Sequence, residues 1–200
     1  MKFDTIVFDL GGVLIEAGDF PIKMEWQRDP NDVKLNLAYW VASETGRDYE
    51  KGLLSTSDFA NKFIREANLN VSSEEFIDAF RKWPIGPFPG VHHFLRDLRQ
   101  NYTVALFSNV NELHWDRIMN EMDMKNRFDH YFASHIIQRA KPDVTSFDFV
   151  ANEMNVANER IIFLDDNAAN VAGAKLAGFS AHQVKGFDEA KAKLENLGIN

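Results

Sequence analysis

Five apolar segments rich in strand-forming residues recur along the chain, and the later ones are separated by stretches with the periodicity of amphipathic helices. In residues 91–98 the apolar side chains fall at positions i, i+3, i+4 and i+7, and similar helical faces return in residues 147–154 and 187–197. Strands that alternate with helices in this way predict a doubly wound, Rossmann-like α/β fold with a parallel sheet. The predicted strands are TIVFDL (5–10), TVALFS (103–108), YFAS (131–134), RIIFLDD (160–166) and SAHQV (180–184).

Residues 16–85 interrupt this alternation. They contain no comparable strand, but three segments have helical patterns: VKLNLAYWVASE (33–44), TSDFANKFIREAN (56–68) and SSEEFIDAFRKW (72–83). Ser72 and Glu75 have the spacing of a helix capping box. About 70 residues are too many for a simple connection between two strands. We therefore predict an inserted α-helical cap over 16–85 and a core made of 1–15 and 86–200, with the proline-rich 84–90 leading back to the core.

The cap segment is rich in aromatic side chains. We expect them to form the packed interior of its helices rather than a substrate pocket: Trp26, Trp40, Phe59, Phe63, Phe76, Phe80 and Trp83. Lys23 and Trp26, early in the cap, could alternatively face a substrate.

Composition excludes several classes of function. The chain carries 30 acidic and 22 basic residues, and the net charge of -8 repels phosphate backbones, which argues against nucleic-acid binding. It contains no cysteine, which excludes disulfides, thiolate metal sites and a cysteine nucleophile. No apolar run approaches the roughly 20 residues that span a bilayer, and the N-terminus lacks the apolar region of a signal peptide. We expect a cytoplasmic protein that binds neither nucleic acid nor membrane; its oligomeric state stays open.

Polar residues follow the apolar runs where a site would form. The carboxyl ends of parallel strands meet at one edge of a sheet, which is where such folds bind ligands. A single strand-ending Asp is often a helix N-cap, but two adjacent acids repel each other unless a cation lies between carboxylates. Asp9 with Asp166 would suit Mg²⁺, and Lys141 and Ser108 could neutralise and hydrogen-bond a phosphate. The candidates are Asp9, Ser108, Asn109, Lys141, Asp165 and Asp166.

These residues lie in four motifs that resemble, in order and spacing, those of the haloacid dehalogenase-like (HAD) hydrolase superfamily. The likeness is to its phosphatase branch with a helical cap after the first strand. It covers roughly residues 3–15 and 86–185, while the cap matches only in position and helicity. The motifs are FDLGGVL (8–14), FSN (107–109), AKPD (140–143) and FLDDNAANVAGAKLAG (163–178).

The resemblance implies a role for each motif residue. Asp9 would attack phosphorus and form an aspartyl-phosphate, and Ser108, Asn109 and Lys141 would bind the transferring phosphoryl group. Mg²⁺, with Mn²⁺ as a possible substitute, would be held by Asp9, the carbonyl of Gly11 and Asp166, with Asp165 assisting directly or through water. Glycines 11 and 12 would let backbone N–H groups approach the phosphate. The implied partner is a small phosphorylated metabolite.

Gly11 departs from the pattern of most family phosphatases. They carry a second Asp at this position, which protonates the leaving group and then activates water. Such acid–base catalysis is typically worth roughly 10²–10⁴-fold in rate. A subset of the family reads FDLG[GN]V here, so the glycine is compatible with activity but argues against a phosphomutase. An activated leaving group, as in an aldose 1-phosphate, would need less protonation. Glu16 and His114 could replace the acid, although a solvated hinge residue and a packing histidine are the expected roles.

Three functions therefore stay open. The leading one is a Mg²⁺-dependent phosphatase acting on a small phosphorylated metabolite, for which a sugar phosphate is one candidate. A haloacid dehalogenase would use the same nucleophile, but its chemistry has no use for a metal, and the Asp165–Asp166 pair speaks against it. A catalytically weakened protein that binds a phosphorylated ligand would account for Gly11, but it would not need the intact nucleophile, lysine and acids.

Overall fold

The computed structural model of the chain describes residues 3–28 and 35–199. Its centre is a parallel sheet of five strands, β1 (Thr5–Phe8), β4 (Thr103–Ser108), β5 (His130–Ala133), β6 (Ile161–Asp165) and β7 (Ser180–Gln183). The strands lie in the order β5-β4-β1-β6-β7, so β1 is in the middle between β4 and β6. This confirms the predicted fold class, and each predicted strand is found.

Two apolar cores cover the two faces of the sheet. Side chains alternate between the faces of a strand, and in β1 Ile6 and Phe8 enter one core while Val7 enters the other. The continuous apolar runs of the sequence reflect this burial on both sides. The helices of the core are α5 (Val91–Leu98), α6 (Glu112–Asp116), α7 (Ser134–Ile137), α8 (Val144–Met154), α9 (Ala168–Leu176) and α10 (Phe187–Asn196).

The segment between β1 and β4 forms a helical cluster with an aromatic core of its own. All the aromatic residues predicted for the cap interior belong to this cluster or pack against it, and most are fully buried. Lys23 forms an ion pair with Glu75, and buried Trp26 also donates to Glu75, so both side chains contact the helix of Glu75 within the cap. The cap helices are α1 (Leu37–Ala42), α2 (Glu44–Glu50), α3 (Thr56–Glu66) and α4 (Ser73–Arg81).

Two local predictions for the cap need correction. The single helical segment expected at 33–44 is divided at Ser43, whose hydroxyl caps α2 by accepting from the N–H of Gly46; residues 33 and 34 lie outside the described part. Ser72 does cap α4 by accepting from the N–H of Glu75. The Glu75 carboxylate, however, bonds Lys23 and Trp26.

The cap region also contains strands, contrary to prediction. β2 (Ile15–Ala17) and β3 (Pro84–Pro87) pair antiparallel. Gly18 and Trp83 continue the contact, because the N–H of Gly18 donates to Trp83 and the indole of Trp83 donates to Gly18. The prolines of β3 cannot donate to a ladder and predicted a loop instead. The pair joins the two ends of the cap beside the sheet, next to the proposed cap boundaries at 16 and 85.

Among the described residues, the helices are too short or too polar for any of them to cross a membrane.

Candidate active site

The topology brings the predicted site residues to one edge of the sheet. Asp9 directly follows β1, Ser108 ends β4, and Asp165 ends β6 with Asp166 after it. After β5 the chain crosses to the other side of β1, which opens the crevice where α/β sheets bind ligands. Lys141 reaches this edge from the turn before α8. All the candidate residues are thus brought together, while their catalytic roles stay predictions.

Lys141 links the nucleophile candidate to the end of β6. Its Nζ lies 2.8 Å from Oδ1 of Asp9 and 2.6 Å from Oδ2 of Asp165, and it donates to the carbonyl of Phe107 at 3.0 Å. All three charged groups are buried. Burial opposes the charged ammonium, but Asp165 and Asp9 outweigh it and raise the pKa of Lys141. The ammonium is therefore a fixed positive charge at the base of the site.

Asn109 positions this lysine. Its side-chain amide donates to the carbonyl of Lys141 and accepts from the N–H of Lys141, both at 2.9 Å. Asn109 lines the same cavity as Ser108, but both ends of its amide hold the lysine backbone. This arrangement favours a positioning role over the predicted direct contact with a phosphoryl group.

The three acids form a group with the spacing of metal ligands. Asp9, Asp165 and Asp166 each offer a carboxylate oxygen, and these oxygens all lie within 4.8 Å of one another. Burial raises the pKa of Asp9 to about 6, with Asp165 and Asp166 adding to the shift and Lys141 opposing it. Burial and Asp165 likewise raise the pKa of Asp166. One ammonium does not balance three carboxylates, and a second cation with a preference for oxygen, such as Mg²⁺, fits the set.

The oxygens of Asp165 are already used inside the protein. They accept from Lys141, from the N–H of Asn167 and from the side chain of Asn170. Asp9 and Asp166 are therefore the better placed of the predicted metal ligands.

Gly11 and Gly12, which follow Asp9 in the turn after β1, differ in their surroundings. Gly12 has φ +71°, and its N–H donates to the carbonyl of Ile15 at 2.9 Å, so this N–H is already bonded within the turn. The approach of backbone N–H groups to a phosphate stays a prediction. A Cβ on Gly11, in contrast, would meet nothing within 4 Å. The missing acid of the sequence thus corresponds to open space.

A cavity of about 750 Å³ extends from these residues to the cap. The cap wall is largely apolar, with Leu37, Trp40, Val41 and Trp83, and it includes the charged side chains of Arg47, Glu50 and Lys51. Trp40 and Trp83 therefore serve both the cap interior and the wall of the cavity.

Glu50 is a site residue that the sequence did not reveal. It ends α2, lines the cavity and accepts from Nε1 of Trp40 at 3.3 Å. Burial raises the pKa of its carboxyl to about 7; Trp40 and Lys141 oppose the shift and Asp9 adds to it. In sequence, a glutamate in the polar stretch ETGRDYE looks like a solvated surface residue, so no local signal marks it.

The two acid–base substitutes considered from the sequence are placed differently. His114 lines the cavity, but Nε2 donates to the carbonyl of Phe80 and Nδ1 accepts from Asn111. Burial lowers the pKa of His114 to about 4, so the imidazole is neutral and engaged in packing. Glu16 is exposed on β2 and is not among the residues lining the cavity.

A family model described as haloacid dehalogenase-like hydrolase matches residues 3–178. The chain belongs to the haloacid dehalogenase-like hydrolase family. The resemblance drawn from the four motifs is thereby confirmed at the level of the family, and the chain is a hydrolase of the HAD type.

Curated relatives of this HAD hydrolase include both phosphatases and dehalogenases. The sesquiterpene phosphatase astK of Aspergillus oryzae is 28% identical over 182 residues, 88% of this chain and 87% of that protein. The (S)-2-haloacid dehalogenase H-109 of Pseudomonas putida is 25% identical over 193 residues, 88% of this chain and 83% of the dehalogenase. The drimenol cyclase drtB of Aspergillus calidoustus is 24% identical over 96% of this chain, which spans only 36% of the cyclase.

Among solved structures, the HAD family enzyme bt-2542 of Bacteroides thetaiotaomicron has been determined in complex with magnesium and inorganic phosphate. It matches with a TM-score of 0.76 and 22% identity, over 92% of this chain and 94% of that one. At this level of identity the likeness shows the fold. Magnesium is thus present in a structural neighbour from the same family.

Proposed function

We propose that this HAD hydrolase is a Mg²⁺-dependent phosphatase that hydrolyses a small phosphorylated metabolite through an aspartyl-phosphate on Asp9. The observation that carries the proposal is the arrangement of Lys141 between buried Asp9 and Asp165, with Asp166 within metal-ligand distance. Phosphoryl transfer needs charge neutralisation and in-line positioning above all, and this cluster supplies fixed charges of both signs.

Each residue has a defined task in this scheme. The Asp9 carboxylate attacks phosphorus, while Ser108 and Lys141 hold the phosphoryl oxygens and Asn109 keeps Lys141 in place. Asp9, the carbonyl of Gly11 and Asp166 would hold Mg²⁺ or Mn²⁺, with Asp165 in support. When bound, the metal would neutralise charge on the transferring group.

The leaving group would lie against the apolar cap wall. Trp40 and Trp83 offer aromatic surface for the face of a sugar ring, and Leu37 and Val41 extend it with aliphatic surface. A sugar phosphate such as an aldose 1-phosphate is one candidate, because its anomeric oxygen is an activated leaving group and Gly11 supplies no acid. An apolar phosphate ester is the second, supported by this wall and by the sesquiterpene phosphatase among the relatives.

A kinetic assay tests the proposal. We expect the protein to hydrolyse p-nitrophenyl phosphate with Mg²⁺ and to lose this activity in EDTA. A panel of sugar 1-phosphates, sugar 6-phosphates and prenyl phosphates then identifies the leaving group. Metal-independent release of chloride from 2-chloropropionate would instead support a dehalogenase. This is the alternative function, and the dehalogenase H-109 is among the relatives of the chain. Binding of phosphate esters without turnover would support a ligand-binding protein.

A further inference from the structure

The end of α2 is attached to the core at a defined place. The hydroxyl of Ser134 donates to the backbone carbonyl of Glu50 and accepts from the N–H of Val110 at 2.9 Å. Two residues later, Gly52 passes so close to the carbonyl of His135 that a Cβ would collide with it. Together with the bond from Trp40 to its carboxylate, these contacts hold Glu50 in the wall of the cavity rather than in solvent.

Glu50 is also a carboxylate of the cavity to which no other task is assigned. Among the described residues, four that bear a carboxyl group line the cavity. Asp9 is the proposed nucleophile and Asp166 a proposed metal ligand. Asp143 caps α8, accepting from the N–H and hydroxyl of Thr145. The indole of Trp40 orients the remaining carboxylate, that of Glu50, with a hydrogen bond of 3.3 Å.

Resting on the phosphatase function proposed above, we propose that Glu50 is the proton carrier of this site and replaces the acid that Gly11 lacks. As Asp9 attacks phosphorus and the bond from phosphorus to the leaving oxygen breaks, the Glu50 carboxylic acid gives its proton to that oxygen. Water then attacks the aspartyl-phosphate, the bond from phosphorus to the Asp9 oxygen breaks, and the Glu50 carboxylate accepts the proton of the water. The cycle ends with an alcohol, phosphate, the Asp9 carboxylate and the Glu50 acid.

The surroundings of Glu50 suit this double role. A carboxyl group with a pKa of about 7 is populated in both forms near neutral pH, the condition under which one group serves as acid and then as base. Among the described residues, Lys141 and Asp9 of the core act on the charge of its carboxyl, and Arg47 and Lys51, from the same end of α2, line the same cavity. Because the cap supplies the proton, catalysis on unactivated esters depends on the docking of α2 at Ser134.

The test compares leaving groups in Glu50→Gln. Glutamine can still accept from Trp40, so we expect the melting temperature to be kept. We expect kcat/KM for an alkyl phosphate to fall by roughly 10²–10⁴-fold, and that for p-nitrophenyl phosphate, whose leaving group needs little protonation, to fall much less. With p-nitrophenyl phosphate, whose first step stays fast, intact mass after acid quench should show the phosphorylated chain accumulating, because the second step has lost its base. Glu44→Gln, on the same helix but exposed and outside the cavity lining, is the matched control and should resemble the parent.

Rescue makes the test specific. Gly11 has room for a side chain, so Gly11→Asp combined with Glu50→Gln should recover part of the activity on the alkyl phosphate. Glu50 is not the proton carrier if Glu50→Gln has the kcat/KM of the parent for both substrates. The same holds if it loses activity equally on both substrates and Gly11→Asp restores none. In either case the phosphatase function stands. If the parent itself shows no Mg²⁺-dependent turnover of any ester, both proposals fall.

Discussion

A Cβ atom on Gly12 would lie 2.5 Å from Oδ2 of Asp166, whereas one on Gly11 would meet nothing within 4 Å. Gly12 also has φ +71°, a backbone angle that residues other than glycine adopt only at a cost in free energy. The turn after β1 therefore comes close to Asp166 only because position 12 carries no side chain. The two adjacent glycines therefore differ in what their missing side chains mean. Gly12 allows the close approach to Asp166, whereas at Gly11 the missing side chain is that of a catalytic acid.

We therefore expect Gly12→Ala to weaken Mg²⁺ binding. Displacement of the Asp166 carboxylate should lower the affinity by roughly tenfold, or about 1.4 kcal/mol of binding free energy, whereas the strained backbone lowers the stability of free and bound protein alike. Isothermal titration with MgCl₂ measures the effect directly, independently of turnover. Gly11→Ala is the control and should bind within about twofold of the parent. Equal affinities for the two variants would contradict the assignment of Asp166 as a ligand.

Asp9→Asn should separate activity from stability. Loss of the nucleophile should lower phosphatase turnover by at least about 10³-fold. The fold should survive, because Lys141 keeps its partner Asp165 and one of three mutually repelling carboxylates is removed. In EDTA, we expect an unfolding midpoint equal to or above that of the parent. An active variant would disprove the nucleophile, and a clear loss of stability would show that the acids do not repel one another in the folded protein.

Lys141→Met should have the opposite effect on stability. It leaves buried Asp9 and Asp165 without their cation, and breaking a buried pair in this way costs about 3–5 kcal/mol. Urea unfolding in EDTA provides the free energies. Combining Lys141→Met with Asp9→Asn should recover part of the loss, because one uncompensated charge is removed. Additive free energies in this cycle would mean that the two groups are not coupled.

The parts of the molecule that were predictable from sequence are those that obey local rules. The continuous apolar run of β1 reports burial on both faces, and the polar residues after β1, β4 and β6 meet because parallel strands end at one edge. The β2–β3 pair was missed because prolines in a four-residue strand look like a loop. Asn109 was expected to bind substrate, since nothing in FSN shows that its amide bonds Lys141, 32 residues away.

Glu50 shows the limit of local reasoning most clearly. Its neighbours in sequence are polar, and its place in the cavity depends on the bond between its carbonyl and Ser134, which lies 84 residues further along the chain. The raised pKa of its carboxyl likewise follows from docking of the cap, because burial is its main cause. The sequence indicates that the acid at position 11 is missing, but only the packing of cap on core provides a candidate to replace it.

His114 should make the interface between cap and core sensitive to acid. Burial lowers the pKa of its imidazole to about 4, with Arg117 adding to the shift and the Phe80 carbonyl opposing it, whereas an unfolded chain has a histidine pKa of about 6.5. Between these values the unfolded state binds more protons, so the stability that neutral His114 contributes is present above about pH 6.5 and is lost as the pH falls toward 4.

His114→Gln keeps a donor for Phe80 and an acceptor for Asn111 but does not titrate. The difference in unfolding free energy between parent and variant should therefore shrink by about 2–3 kcal/mol from pH 7 to pH 4.5, since the other titrating groups cancel. Parallel stability curves would mean that His114 is protonated in the folded protein.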